Sequence, residues 1–161
     1  MCCKAMGVPD LKKPPGVWCV HAGDHPGGGC GIYESRPQCC REFNCAWLTD
    51  DREVLRDEDR PDRLGVVFWV KEGGGIDAAT GRAINVIVAM ERHAGAALQN
   101  SRSRQIIERW RRRGIAVSIG SGPEIRPVQL TRDGTLVLGQ PPGAPPPPPD
   151  MEKTPGSVPM S

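Results

Sequence analysis

All seven cysteines of this chain lie before residue 46, in a segment that has little else from which to build a core. Across residues 1–60 the only branched aliphatics are Val8, Leu11, Val17, Val20, Ile32, Leu48, Val54 and Leu55, eight in sixty, against twenty-one between residues 64 and 138. A stretch of about sixty residues buries too little surface to be comfortably stable alone. This one is also interrupted by Pro14, Pro15, Pro26, Pro37 and the glycines 27–29. It needs a staple. Disulfides would add about 2–4 kcal/mol each, and a thiolate-bound metal has an apparent folding contribution on the order of 10–16 kcal/mol.

Compartment separates the two. The opening residues, Met1-Cys2-Cys3-Lys4-Ala5-Met6, contain no apolar stretch of about 7–15 residues and no small-residue cleavage site, so the expected location is the cytoplasm. No apolar run approaches the roughly 20 residues needed to cross a bilayer, which excludes a membrane partner of the spanning kind. Cytosolic thiols stay reduced, so a cysteine cluster there points to metal binding or catalysis rather than to a disulfide framework. The odd number of cysteines agrees.

Spacing narrows the chemistry. Fifteen residues separate Cys3 from Cys19, ten separate Cys19 from Cys30, nine separate Cys30 from Cys40 and four separate Cys40 from Cys45. This is not the paired Cys-x-x-Cys pattern of common zinc fingers. Cys19 and His21, two apart, would share one face of an extended strand, and Gly and Pro around the later cysteines let the chain wrap an ion.

The stretch Trp18-Cys19-Val20-His21, then Cys30-Gly31-Ile32-Tyr33-Glu34-Ser35-Arg36-Pro37-Gln38-Cys39-Cys40, then Phe43-Asn44-Cys45, resembles the YkgJ-type cysteine-cluster family of zinc- or iron-chelating bacterial domains. The strongest piece is Cys-x-Ile-Tyr-x-x-Arg-Pro-x-x-Cys, formed by Cys30, Ile32, Tyr33, Arg36, Pro37 and Cys40. The opening Cys2-Cys3-Lys4 looks like the end of the family's Cys-x-x-Cys-Cys element. The resemblance covers roughly residues 2–70 and implies Cys3, Cys19, Cys30 and Cys40 as the metal ligands. Four thiolates suit tetrahedral zinc or an iron–sulfur cluster, so the implied cofactor is zinc or iron. The first cysteine of the family element is missing, which leaves Cys2 and Cys3 as alternatives. Cys39 stands where the motif requires no cysteine and reads as a spare thiol.

The neighbouring residues carry weaker signals. Cys45 either joins the site or is buried beside Phe43. His21 is either a ligand or an ordinary surface imidazole, and His25 and His93 read as solvent-exposed. Arg36 is expected to donate to carbonyls or a carboxylate, or to offset thiolate charge. Trp18, Tyr33 and Trp47 are the large apolar surfaces available to close the knot.

Residues 50–60 form a mixed-charge run with too few apolar positions for a core helix, expected to be a solvated helix or connector capped by Asp50 or Asp51. Residues 65–70 and 84–88 are rich in β-branched and aromatic side chains and read as paired strands around the turn region at 77–81. Ser101 or Ser103 caps a helix reaching Arg113, with Ile106, Ile107 and Trp110 on one face and Gly114 ending it. Residues 115–119 read as a strand, and 128–130 and 135–138 as a hairpin about Arg132-Asp133-Gly134. From residue 140 the prolines predict a disordered tail.

The expected class is therefore α+β: an irregular cysteine-rich metal-binding knot (1–60), a small sheet with one main helix packed on it (61–139) and a proline-rich tail (140–161). The function expected is that of a cytosolic metal-binding protein, the metal ion being its partner; no motif names a protein partner. One alternative is a metal- or cluster-dependent protein-modification enzyme or its accessory subunit, because related clusters occur in proteins resembling flagellin lysine methylases. No Ser/His/Asp set, Cys/His pair or cofactor fingerprint supports catalysis. Another alternative is nucleic-acid binding through the arginine-rich helix 101–113. Against it stand a net charge of only +2 and the absence of an accompanying aromatic stripe.

Overall fold

The computed structural model describes residues 1–23, 29–49, 54–77 and 79–140. The expected tail beyond Gln140, Asp50, Asp51 and His25 lie outside them. Five strands form one mixed sheet in chain order: β1 (Val66–Ile76), β2 (Ala83–Glu91), β3 (Ala116–Gly120), β4 (Arg126–Leu130) and β5 (Leu136–Leu138). The β1–β2, β3–β4 and β4–β5 pairs are antiparallel, and β2–β3 is parallel. A parallel pair cannot close through a two-residue turn; its crossover here carries the longest helix. The helices are α1 (Cys2–Ala5), α2 (Gln38–Glu42), α3 (Ala46–Thr49), α4 (Pro61–Leu64), α5 (Ala96–Gln99) and α6 (Ser101–Arg112). The fold is α+β.

Strand alternation sends neighbouring residues to opposite faces, and both faces of β1–β2 are used. Val66, Phe68, Ile87 and Ala89 join Ile106, Ile107 and Trp110 of α6 in the main core. The Phe68 and Trp110 rings meet edge to face at 5.0 Å and 76°. On the other face, the cross-strand pair Val67 and Met90 meets Ala5 and Cys45 from the cysteine-rich segment, with Met1, Phe43 and Trp69 at the margin. The molecule is thus layered as helix, sheet and cysteine-rich segment. Trp47, on α3, touches both cores and donates its indole N–H to the Arg56 carbonyl at 3.0 Å.

Several expectations change. The cap of α6 is Asn100, not Ser101 or Ser103: its side chain accepts from the Arg102 and Ser103 amides at 2.9 and 3.2 Å. Ser103 is buried and donates to the Ala97 carbonyl at 2.9 Å. Strand β1 runs past residue 70 through the glycines 73–75, with a register shift between Lys71 and Gly75. A Cβ at Gly75 would stand 2.8 Å from a Val86 methyl, which is why the strand tolerates glycine there.

The run at 50–60 is not wholly solvated. Val54 and Leu55 belong to the main core, and Asp59 is 2% exposed. Arg102 clasps Asp59 from α6, donating through Nε at 2.7 Å and Nη2 at 2.5 Å, and the Arg56 amide adds a third bond at 2.8 Å. A paired fork makes such burial tolerable for a carboxylate. Burial alone would raise the Asp59 pKa, but the Arg102 and Arg56 hydrogen bonds hold it below the ordinary carboxylate value.

Candidate metal centre

The cysteine-rich segment is built from short pieces joined by backbone hydrogen bonds rather than by a core. The Val8 amide bonds to the Lys13 carbonyl at 2.8 Å, closing a loop over residues 8–13, and the Gly16 amide reaches the Lys4 carbonyl at 2.9 Å. The Cys19 amide bonds to the Cys3 carbonyl at 3.0 Å, which lays residue 19 beside the first helix. Ala22 and Cys30 form an isolated antiparallel bridge, and Cys40 enters α2 with its amide on the Pro37 carbonyl at 3.0 Å. Docking to the sheet relies on two close approaches. The Lys4 ammonium, buried, donates to the Glu91 and Arg92 carbonyls at 2.6 and 2.8 Å. Gly16, at φ +76°, packs so closely on Gly122 that a Cβ would lie 2.2 Å from its carbonyl carbon.

These pieces bring Cys3, Cys19, Cys30 and Cys40 to the walls of one cavity of about 410 Å³. All four are half-buried and free of disulfides. Burial pushes the Cys3 thiol above its ordinary value, with Cys30 and Cys19 adding to the rise. Cys40 is pushed up to about 11, first by burial, then by Cys39, which also hydrogen-bonds to it, and further by Cys19 and Cys30. Cys2 also reaches the cavity, and its thiol is raised chiefly by burial, with Cys45 adding to the rise.

The other residues fall as follows. Cys45 is 3% exposed and packs with Ala5, Val67 and Met90, away from the cavity walls. Cys39 is half-buried and does not line the cavity. Cys19 and His21 do not share a strand face, because the Ala22 amide bonds to the Cys19 carbonyl at 3.0 Å and makes a turn there. His21 is half-buried and His93 exposed. Tyr33 and Trp18 do not close the knot: they are 56% and 43% exposed. Arg36 lays its guanidinium 3.9 Å from the centroid of the Tyr33 ring, and both residues line the cavity.

Lys13, which the sequence did not single out, stands among the thiols. It is 8% exposed, and its ammonium donates to the carbonyls of Met6, Pro14 (3.1 Å) and Lys4 (3.4 Å). Burial pulls its pKa below the ordinary ammonium value, while Cys19, Cys3 and Cys40 push it back. The loop at 8–13 places it there, and nothing in local periodicity marks it.

The donor chemistry is soft. Among the described residues no carboxylate lines the cavity, so its sulfurs suit zinc or iron rather than magnesium or calcium. Among the described residues no group of three or more His, Cys, Asp or Glu side chains is gathered closely enough to hold a metal ion. The four cysteines therefore share a cavity without converging on a point. No helix among the described residues is long and apolar enough to cross a membrane. No protein-family model matches the chain, and no curated protein or solved structure matches it either.

Proposed function

We propose that this protein binds a metal, zinc or an iron or iron–sulfur centre, through Cys3, Cys19, Cys30 and Cys40, in a cysteine-rich knot of the YkgJ type. The observation that carries the reading is the common cavity. Four cysteines from different parts of a segment poor in aliphatics face one space, with a cation beside them. Binding deprotonates thiols, so the metal displaces protons that burial holds on Cys3 and Cys40 in its absence. On this reading the metal draws together sulfurs that otherwise only share a cavity, and it supplies the stability that the local apolar residues lack. The cytoplasm, where thiols stay reduced, is the compartment that suits such a site.

The arginine-rich helix supports a nucleic-acid reading less well. Arg102 is committed to Asp59, and Arg111 donates to the Ile115 carbonyl at 3.0 Å. Both serve the fold.

The test is anaerobic purification followed by metal analysis and a visible spectrum. Bound zinc, or iron with acid-labile sulfide, is expected in the native protein, and serine substitution at any of the four cysteines should reduce it strongly. A reduced, folded protein that retains no metal and takes up none on addition would overturn the reading. Brown protein with labile sulfide would remove the zinc assignment and leave the ligand set standing.

A further inference from the structure

We propose that Lys13 is a positioning residue of this centre: its fixed ammonium is the built-in counter-charge that lets several cysteine thiolates gather in one partly buried cavity. The inference rests on the metal reading and concerns how the site tolerates its own charge. Four thiolates around a divalent ion carry two net negative charges. Placing them in a half-buried cavity is costly unless a positive group lies close by. Lys13 lines that cavity with Cys3, Cys19, Cys30 and Cys40.

Its position is set before any metal arrives. An ammonium has three donors and no acceptor, and here three carbonyls, of Lys4, Met6 and Pro14, take them. The Val8–Lys13 bridge fixes the backbone from which the side chain leaves, and Lys12 ahead of it takes the left-handed conformation at φ 50° that turns the loop. The stem is buried, so the charge is not free to swing into solvent. The carbonyls belong to the same segments that carry Cys3 and Cys19, since the Cys19 amide is bonded to the Cys3 carbonyl and the Gly16 amide to that of Lys4. The ammonium therefore ties together the chain around two candidate ligands, on a residue that lines the same cavity as the four cysteines.

Charge and shape are separable by substitution. Lys13→Gln keeps a donor and removes the charge, and Lys13→Arg keeps the charge. Each variant is titrated with Co²⁺ alone under reducing conditions, and the thiolate-to-cobalt charge-transfer band reports how many sulfurs bind. Near-UV circular dichroism of the metal-free protein reports the fold. Lys13→Gln is expected to lower Co²⁺ affinity by about tenfold or more, the usual cost of losing a group that supports metal ligands. Its band at saturation should match the native one, and Lys13→Arg should restore most of the affinity. Unchanged affinity in Lys13→Gln overturns the proposal, and so does a loss in Lys13→Arg equal to that in Lys13→Gln, since the residue would then act through shape. If native protein shows no charge-transfer band at all, the metal reading fails and this one with it, an outcome distinct from a native protein that binds and a Gln variant that binds equally well.

Discussion

The two faces of the β1–β2 ribbon are covered by layers of different physical character. On one face α6 delivers Ile106, Ile107 and Trp110 into a cluster with Val66, Phe68, Ile87, Val117 and Ile119, all buried. On the other, among the described residues, the cysteine-rich segment offers Ala5 and Cys45 as buried contacts to Val67 and Met90, and is pinned by Lys4 on the end of β2. The first layer is held chiefly by apolar burial, which involves neither a metal nor a thiol. The second is held by backbone hydrogen bonds and two buried lysines around a cavity lined by thiols. The contrast shows how one small chain combines a layer built on apolar packing with one built on backbone hydrogen bonds: the sheet is the wall against which the cysteine segment is laid.

The largest effect expected lies on the helix side. Trp110→Ala removes the ring that meets Phe68 and the face by which α6 seats on the sheet. A loss of about 3–5 kcal/mol is expected from truncating such a side chain, read as the shift of the denaturant midpoint with Trp69 fluorescence as the probe. Metal addition should not restore it. A loss below about 1 kcal/mol, typical of ordinary substitutions, would mean that the two layers do not differ as described.

The next effect is pH-dependent and sits where the chain passes from the cysteine layer to the helix side. Asp59 has a folded pKa held below its ordinary value by Arg102 and the Arg56 amide, against the opposing pull of burial. A carboxyl shifted this way adds stability that is present above the unfolded value of about 3.9 and lost as pH falls through the lower folded value. Asp59→Asn should cost about 2 kcal/mol at neutral pH, less than a fully buried pair because the Arg102 side chain is 26% exposed. It should also flatten the acid limb of the stability profile below pH 4. An unchanged acid limb would assign that limb to other carboxylates.

What could be read from the residues divides along the same line. The β-branched runs and the apolar face at Ile106, Ile107 and Trp110 marked β2, α6 and β3 to within a few residues, and β1 at its start though not at its glycine-rich end, because period and propensity are local. The cap shifted to Asn100 because several polar residues in a row can all cap, and only geometry chooses among them. Asp59 escaped notice because its partner, Arg102, is remote in sequence. In the cysteine layer the sulfurs were legible as residues, but their sharing of one cavity was implied only by a resemblance. Lys13 was not legible at all, since a lysine in a proline-rich loop looks solvated until the carbonyls it serves are seen. Trp18 and Tyr33 stay 43% and 56% exposed, while the apolar contact of this segment is made by Ala5 and Cys45 against Val67 and Met90.

The smallest effects separate the two cysteines that the cavity leaves out. Cys45 is enclosed by Ala5, Val67 and Met90, so it acts as a small apolar side chain at the contact between layers. Cys45→Ser buries a hydroxyl there and is expected to cost about 1–3 kcal/mol, with metal content unchanged. Cys39 is half-buried on α2 and does not line the cavity, so a serine there leaves the four lining sulfurs in place. Cys39→Ser should therefore stay within about 0.5 kcal/mol of the parent, as surface changes do, and should keep full metal stoichiometry. Thermal melts and metal analysis on both variants give four readings. If Cys45→Ser loses metal while its melt stays put, Cys45 belongs to the centre rather than to the wall, and the layer facing Met90 is held by coordination even at its deepest contact. If Cys39→Ser loses metal, the ligand set shifts along α2 by one residue, and the side of that helix facing the cavity must turn when the metal binds.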